Sequence, residues 1–89
     1  HRGGPDIDEF SVDRKAIGAG QCVRLRWRTG DTDGVNIYRS GQTIVSRGDD
    51  DGSTEDCPPG PGVYDYVLEA FGNGTNRQSL TVEVVRMER

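Results

Sequence analysis

The residues best suited to chemistry in this 89-residue chain are carboxylates, and they come in clusters. Asp31 and Asp33 share one turn-rich segment, Asp49, Asp50 and Asp51 fill a second, and Glu55 and Asp56 follow closely. Hard oxygen ligands suit calcium, which takes about six to eight of them at about 2.3–2.6 Å. Asp49, Asp50 and Asp51 are thus the candidate metal ligands, for weak calcium binding, and no other cofactor is implied. The spacing is not that of an EF-hand loop, because Gly52 is not followed at the required distance by a bidentate glutamate. Asp and Gly are also ordinary turn formers.

Other chemistries fail for want of partners. The sole histidine is His1, in a stretch that reads as a tail, so neither a Ser/His/Asp nor a Cys/His arrangement is available. Carboxylate pairs need a deep, desolvated pocket to raise one pKa, and a chain this short has little room for one. No enzymatic activity is expected. Cys22 and Cys57 lie 35 positions apart with no CxxC and no nearby histidine, which excludes a zinc site. Two separate buried thiols and a disulfide both remain open from spacing alone.

Several side chains carry both a binding and a structural reading. Trp27 suits a sugar-stacking platform, yet it alternates in phase with Val23 and Leu25 and belongs to the core. Tyr38 points away from the face of Val35 and Ile37 and is the aromatic expected to be exposed. Arg24, Arg26 and Arg28 recur on alternate positions, about 7 Å apart in a strand, where they could attract an acidic ligand. With Glu69, Asp65, Glu83, Glu55 and Asp56 available to neutralise them, a salt-bridged solvent face is expected instead. Asn73-Gly74-Thr75 matches a glycosylation acceptor and is equally a tight-turn sequence.

The elements that position these residues are strands. From Gln21 the chain alternates strictly, with Val23, Leu25 and Trp27 on one face and Cys22 and the arginines on the other. Tyr64, Tyr66, Leu68 and Ala70 alternate against Asp65, Val67 and Glu69; Leu80, Val82 and Val84 alternate against Thr81, Glu83 and Val85. The Gly72 to Asn76 segment between these two runs predicts an antiparallel hairpin. Shorter strands are expected over Ile7 to Val12, Val35 to Arg39 and Gln42 to Ser46, the last two joined at Ser40-Gly41. Turn signals every 8–12 residues or so are those of an all-β sandwich. The predicted core residues are Val23, Leu25, Trp27, Tyr66, Leu68, Leu80 and Val82.

Composition sets the outer limits. A net charge of −4 is the wrong sign for binding a nucleic-acid backbone. No apolar run approaches the roughly 18 residues that cross a bilayer, so no membrane insertion by this segment is expected. Ile, Leu, Val and Phe supply only about a fifth of the chain, so the core must be small. The start at His1 reads as a piece of a longer protein, with tails over residues 1–5 and 87–89 and one domain over 6–86.

The series Pro5, Ile7, Phe10, then Gly20 to Trp27, Val35-Asn36-Ile37, Cys57-Pro58 and Tyr66 to Ala70 resembles the small immunoglobulin-like modules of bacterial secreted and cell-surface proteins. The resemblance spans nearly the whole chain. It implies an all-β immunoglobulin-like sandwich of about seven antiparallel strands in two sheets, without catalysis of its own. Two features depart from the pattern: the approach to the tyrosines is the proline-rich Pro58-Pro59-Gly60-Pro61, and the loop before Cys57 is acidic. Within this topology Cys57 ends the fifth strand, which runs antiparallel beside the strand of Trp27, so that Cys22 and Cys57 meet at a sheet end. The resemblance thus implies an exposed disulfide within one sheet. Tyr66 is expected as the corner tyrosine whose hydroxyl returns to the backbone.

The function expected is a non-catalytic spacer or protein-interaction module of a larger extracytoplasmic protein, contacting neighbouring domains or another protein. The alternative is a ligand-binding module for carbohydrate or calcium. Coplanar exposed aromatics or converging carboxylates on one face would mark the second; scattered charges and chain ends at opposite poles would mark the first.

Overall fold

A computed structural model of the protein describes residues 4–86. Eight strands follow in order: β1 (Asp6–Val12), β2 (Ala16–Gly18), β3 (Val23–Gly30), β4 (Thr32–Arg39), β5 (Gln42–Gly48), β6 (Asp51–Asp56), β7 (Gly62–Gly72) and β8 (Gly74–Val85). They form a three-stranded sheet, β1-β3-β6, packed on a five-stranded sheet, β2-β8-β7-β4-β5. Alternating apolar residues make this arrangement, because each sheet has one apolar face and buries it against the other.

Turn chemistry sets the connections. Ser40 and Gly41 both take positive φ, the backbone that matches the twist of a two-residue hairpin between β4 and β5. The expected glycine-aspartate turn before β4 contracts to Asp31 alone, at φ 56°, where the chain crosses from one sheet to the other. The last hairpin pairs from Gly62↔Val84 to Gly72↔Gly74 without a register shift. The expected loop of five residues therefore shrinks to Asn73, and the strands run longer than the apolar alternation indicated.

One strand has no counterpart in the sequence reading. β2 is three residues long and pairs in parallel with the end of β8, Ala16↔Glu83 to Gly18↔Val85. The Glu83 N–H donates to Lys15 O at 2.8 Å, and Ala19 N–H donates to Val85 O at 2.8 Å. Its signal is one buried side chain, Ile17, too little for any periodicity.

Val23, Leu25, Tyr66, Leu68 and Val82 are almost wholly buried, and Trp27 is 6% exposed. Phe10, Ile17, Val35, Ile37, Ala70 and Val84 complete the core. Leu80 is only half-buried and packs against the cluster from its rim. The indole of Trp27 needs two glycines. A Cβ on Gly52 would stand 2.8 Å from Trp27 Cζ2, and one on Gly48 would meet it at 3.5 Å and Val45 Cγ1 at 2.9 Å. Gly52 pairs directly opposite Trp27, so the cross-strand position is kept bare for the ring.

Gly4 and Pro5 fall in the expected tail, yet they lie against the tip of the last hairpin: Pro5 is buried and accepts a bond from Asn76 Nδ2 at 3.2 Å. Residues 1–3 and 87–89, including His1, lie outside the described residues.

Candidate functional site

The disulfide joins Cys22, just before β3, to Cys57, just after β6. Val23 pairs with Asp56, so the next position along the ladder holds the two cysteines, with Cα atoms 4.1 Å apart. Cys22 is half-buried and Cys57 exposed.

Beside it lies a polar group between the sheets that sequence reasoning did not assemble. Asp56 of β6 turns inward, and its two oxygens accept Arg39 NH1 of β4 at 2.8 Å each. The Tyr66 hydroxyl of β7 donates to Asp56 Oδ2 at 2.6 Å. One sheet thus supplies the carboxylate, the other both donors. Burial, then the Asp56 carboxylate, pushes the Tyr66 phenol well above its usual range. The hydrogen bond to Asp56 likewise raises Arg39. The expectation that Tyr66 bonds the backbone is corrected: Tyr64 does this, its hydroxyl donating to Gly60 O at 2.7 Å and accepting Gly60 N–H at 3.2 Å. Tyr66 sits two residues further on, inside the core, where a carboxylate and not a carbonyl faces it.

The expected calcium ligands Asp49, Asp50 and Asp51 do not converge. Among the described residues no three His, Cys, Asp or Glu side chains are grouped to hold a metal ion. Their loop anchors the core by its carbonyls instead: Asp49 O accepts Trp27 Nε1 at 2.8 Å, and Asp50 O accepts the Thr29 hydroxyl at 2.7 Å and its N–H at 2.9 Å. Asp50 Oδ1 is occupied by the Thr32 hydroxyl at 2.8 Å. An open depression of about 510 Å³ lies beside these residues, with Arg47 among its walls. The loop's backbone thus holds Trp27 and Thr29, while Asp33, Asp49, Asp50 and Asp51 line the depression without being grouped as a metal site.

The arginine stripe is also corrected. Arg24, Arg26 and Arg28 are exposed on the outer face of the three-stranded sheet, with Glu55, Ser53 and Asp51 opposite them on β6. Among the described residues the ion pairs are Arg39–Asp56 and Arg77–Glu69, so none of the three is salt-bridged. Of the acidic residues expected to pair with them, Glu69, Asp65 and Glu83 belong to the other sheet and Asp56 is turned inward. Asp13 instead accepts the Arg24 backbone N–H at 2.9 Å, which holds its carboxyl below the usual range.

On the outer face of the five-stranded sheet, Glu69 gathers three donors. Oε1 accepts the Tyr38 hydroxyl at 2.9 Å and Asn36 Nδ2 at 3.4 Å, and Oε2 accepts Arg77 at 3.0 and 3.2 Å. These bonds, Tyr38's first, lower the Glu69 carboxyl, and the same contact raises the Tyr38 phenol. Tyr38 is half-buried and not the free aromatic expected. Phe71 lies on the same face over Gly34, whose added Cβ would stand 2.9 Å from the ring. Both rings are engaged with their neighbours, and neither is a bare platform.

Comparison with solved structures gives the fold its name. The CARDB domain of a Pyrococcus furiosus protein, solved in complex with di-metal ions, matches with a TM-score of 0.65 and 17% identity, covering 94% of this chain and 96% of that one. Human titin ZIg10 matches at 0.68 and 21% identity, over 96% and 79%. A chimeric titin Z1Z2 carrying a KLER peptide from decorin matches at 0.63 and 23% identity, over 96% of each chain. The chain is an immunoglobulin-like sandwich. No family model matches it, and neither does any curated protein.

As an immunoglobulin-like sandwich it has unusual fasteners. Antibody domains join the sheets by a disulfide whose second cysteine lies two residues after the corner tyrosine. Here the corner tyrosine is Tyr64, so Tyr66 occupies that position, and the bond between sheets is its contact with Asp56 and Arg39. The covalent bond lies within one sheet, at its end. The spacing Tyr64-Asp65-Tyr66 was the available signal for this exchange. The immunoglobulin-like sandwich also differs from the seven strands expected by its short parallel β2.

Proposed function

We propose that the chain is a non-catalytic spacer and protein-interaction module of a larger extracytoplasmic protein, of the kind carried by bacterial secreted and cell-surface proteins. The observation that supports it most is the placement of the first and last described residues. Gly4 lies beside Asn73 and Gly74 at one end of β8, and Arg86 follows Val85 at the other. At about 3.3 Å per residue, the twelve residues of β8 separate entry from exit by roughly 35 Å. Neighbouring domains joined at these points would be held apart along the long axis, which extends 55 Å against 20 and 16 Å across. The Cys22–Cys57 disulfide supports an oxidising compartment. Among the described residues no helix is long and apolar enough to cross a membrane.

The calcium and carbohydrate alternatives have less support. The carboxylates of Asp49, Asp50 and Asp51 do not converge, and Trp27, Tyr38 and Phe71 are occupied by the fold. The test is to place the module between two fluorescent reporters and measure energy transfer. A fixed separation of one module length, unmoved by calcium, chelator or a panel of soluble oligosaccharides, is the expected result. A separation that collapses, or that changes with any of these additions, refutes the spacer reading.

A further inference from the structure

Sheet edges pair with other chains unless something blunts them. Most edges here are blunted. β1 is bulged between Ile7 and Glu9 and carries Asp6, Asp8 and Glu9. β6 carries Asp51, Glu55 and Asp56. β5 breaks register against β4 and places Arg47 at φ 56°. β2 has only three residues.

The outer side of β8 differs. The strand is twelve residues long, pairs regularly with β7, and is covered by β2 only at Glu83–Val85. The Glu83 N–H and Val85 C=O point toward β2, since Lys15 O and Ala19 N–H are their partners. Backbone groups alternate sides along a strand, so those of Arg77, Ser79 and Thr81 point the same way, into the stretch β2 leaves open. The Arg77 N–H is taken by the adjacent Asn76 Oδ1 at 3.0 Å. Among the described residues the N–H and C=O of Ser79 and Thr81 have no backbone partner. Pro5, held by Asn76, bounds this stretch at the hairpin tip, and Lys15 bounds it at the other end.

Side chains restrict what fits. Arg77 stands on the outer face, its side chain 67% exposed even while it pairs with Glu69 of β7 at 3.0 Å, and is the one charge of the strand before Glu83. Leu80, on the inner face, is half-buried at the rim of the core, as is Ile7 of β1. We propose that the open side of β8 from Arg77 to Thr81 receives an extended segment of a partner protein as an added strand. That segment places an apolar residue inward beside Leu80 and an acidic residue outward beside Arg77. Main-chain bonds to Ser79 and Thr81 supply affinity, and the two flanking side chains supply selectivity. This gives the interaction half of the proposed module role a surface, and rests on that reading.

A second copy fits less well. Antiparallel pairing about Gln78 sets the copy's hairpin tip opposite Glu83, where Lys15 already pairs. Pairing about Arg77 sets like charges opposite one another.

The test selects a displayed library of random seven-residue peptides against the whole chain and maps binding by amide hydrogen exchange. Selected peptides are expected to alternate, to carry an acidic residue, and to slow exchange at Ser79 and Thr81 by tenfold or more. Ser79→Pro removes an amide the fold does not use, and proline is tolerated at such edge positions; it is expected to weaken binding at least tenfold. Should that variant melt early, N-methylation of the selected peptide at alternate amides makes the same comparison on the native chain. The proposal is overturned by the absence of binders, by protection elsewhere, or by binding that survives the blocked amide. Protection of Ser79 and Thr81 that rises with protein concentration alone assigns the edge to a second copy and also overturns it. The reporter measurement reads end separation without any peptide, so either reading can fail while the other stands.

Discussion

The bond between the sheets is best tested by Tyr66→Phe. The ring is wholly buried, and the substitution removes only the hydroxyl, leaving no large cavity. What is lost is a 2.6 Å bond to Asp56, whose side chain is 11% exposed and is left with Arg39, itself 13% exposed. A bond to a charged group contributes about 1.5–3 kcal/mol. For a domain of this size each kcal/mol shifts the midpoint by about 4–8 °C, so melting should fall by roughly 6–24 °C. Asp56→Asn should cost more, about 3–5 kcal/mol, because it leaves the Arg39 charge poorly compensated near the core. In the double variant the costs should overlap by about 0.5–3 kcal/mol, since both remove the same bond. The pH dependence has a definite sign. The Tyr66 phenol is raised in the folded state, so the unfolded chain releases that proton first as pH rises. The stability difference between the native chain and Tyr66→Phe is therefore fully present below about pH 10 and shrinks above it. Urea unfolding at pH 7 and through the alkaline range measures all four effects. A Tyr66→Phe loss under about 0.5 kcal/mol, or fully additive single variants, would refute the view that this contact joins the sheets.

Replacing both Cys22 and Cys57 by serine opens a loop of about 36 residues and should cost roughly 3–4 kcal/mol by the chain-entropy relation, read as a lower urea midpoint. Gly52→Ala should destabilise by about 1–3 kcal/mol, because the new Cβ meets the Trp27 ring at 2.8 Å, whereas Gly30→Ala enters open space and should change the same unfolding midpoint far less. The Glu69 carboxyl should titrate below the ordinary glutamate range by NMR and move upward in Tyr38→Phe, which deletes its main donor; an unchanged midpoint counts against the contact. Since the folded-state pKa of Glu69 is lowered, its contribution holds above the ordinary glutamate value and fades as pH falls through the lowered one. Calcium up to millimolar levels should leave the melting temperature unmoved, and a rise reversed by chelator would restore Asp49, Asp50 and Asp51 as ligands.

Alternation made much of the fold legible. Val23, Leu25 and Trp27 share a buried face because a strand's period is two, and the same rule separates Tyr66 and Leu68 from Asp65 and Glu69. What alternation does not contain is the pairing of side chains from distant strands. Asp56 was visible as one acid among many, but its partners Arg39 and Tyr66 lie 17 and 10 positions away and meet it only when the sheets stack. The acidic loop misled for a related reason: aspartates and glycines signal a turn and a ligand set alike, and here the useful atoms are the carbonyls of Asp49 and Asp50. β2 was illegible because three residues carry no period.

The two ends of the sandwich are held by different means, which bears on how a thin core can suffice. At the end where β8 finishes, the disulfide, the Asp56–Arg39–Tyr66 group, the Tyr64–Gly60 corner and β2 all lie within a few residues of one another along the ladders. At the other end there is no covalent bond; Trp27 over its two glycines and Thr29 are held by the carbonyls of one loop. Opening should therefore begin at the hairpin tip and the acidic loop, where among the described residues no disulfide joins strands and no ion pair joins the two sheets, and reach the Cys22–Cys57 end last. Native-state hydrogen exchange separates the two ends directly. Amides of Thr29 and the β8 residues near Asn73 should exchange at lower opening free energy than those of Val23 and Val82. Equal protection at both ends would show that the fasteners act on the whole sandwich and not on the end they occupy.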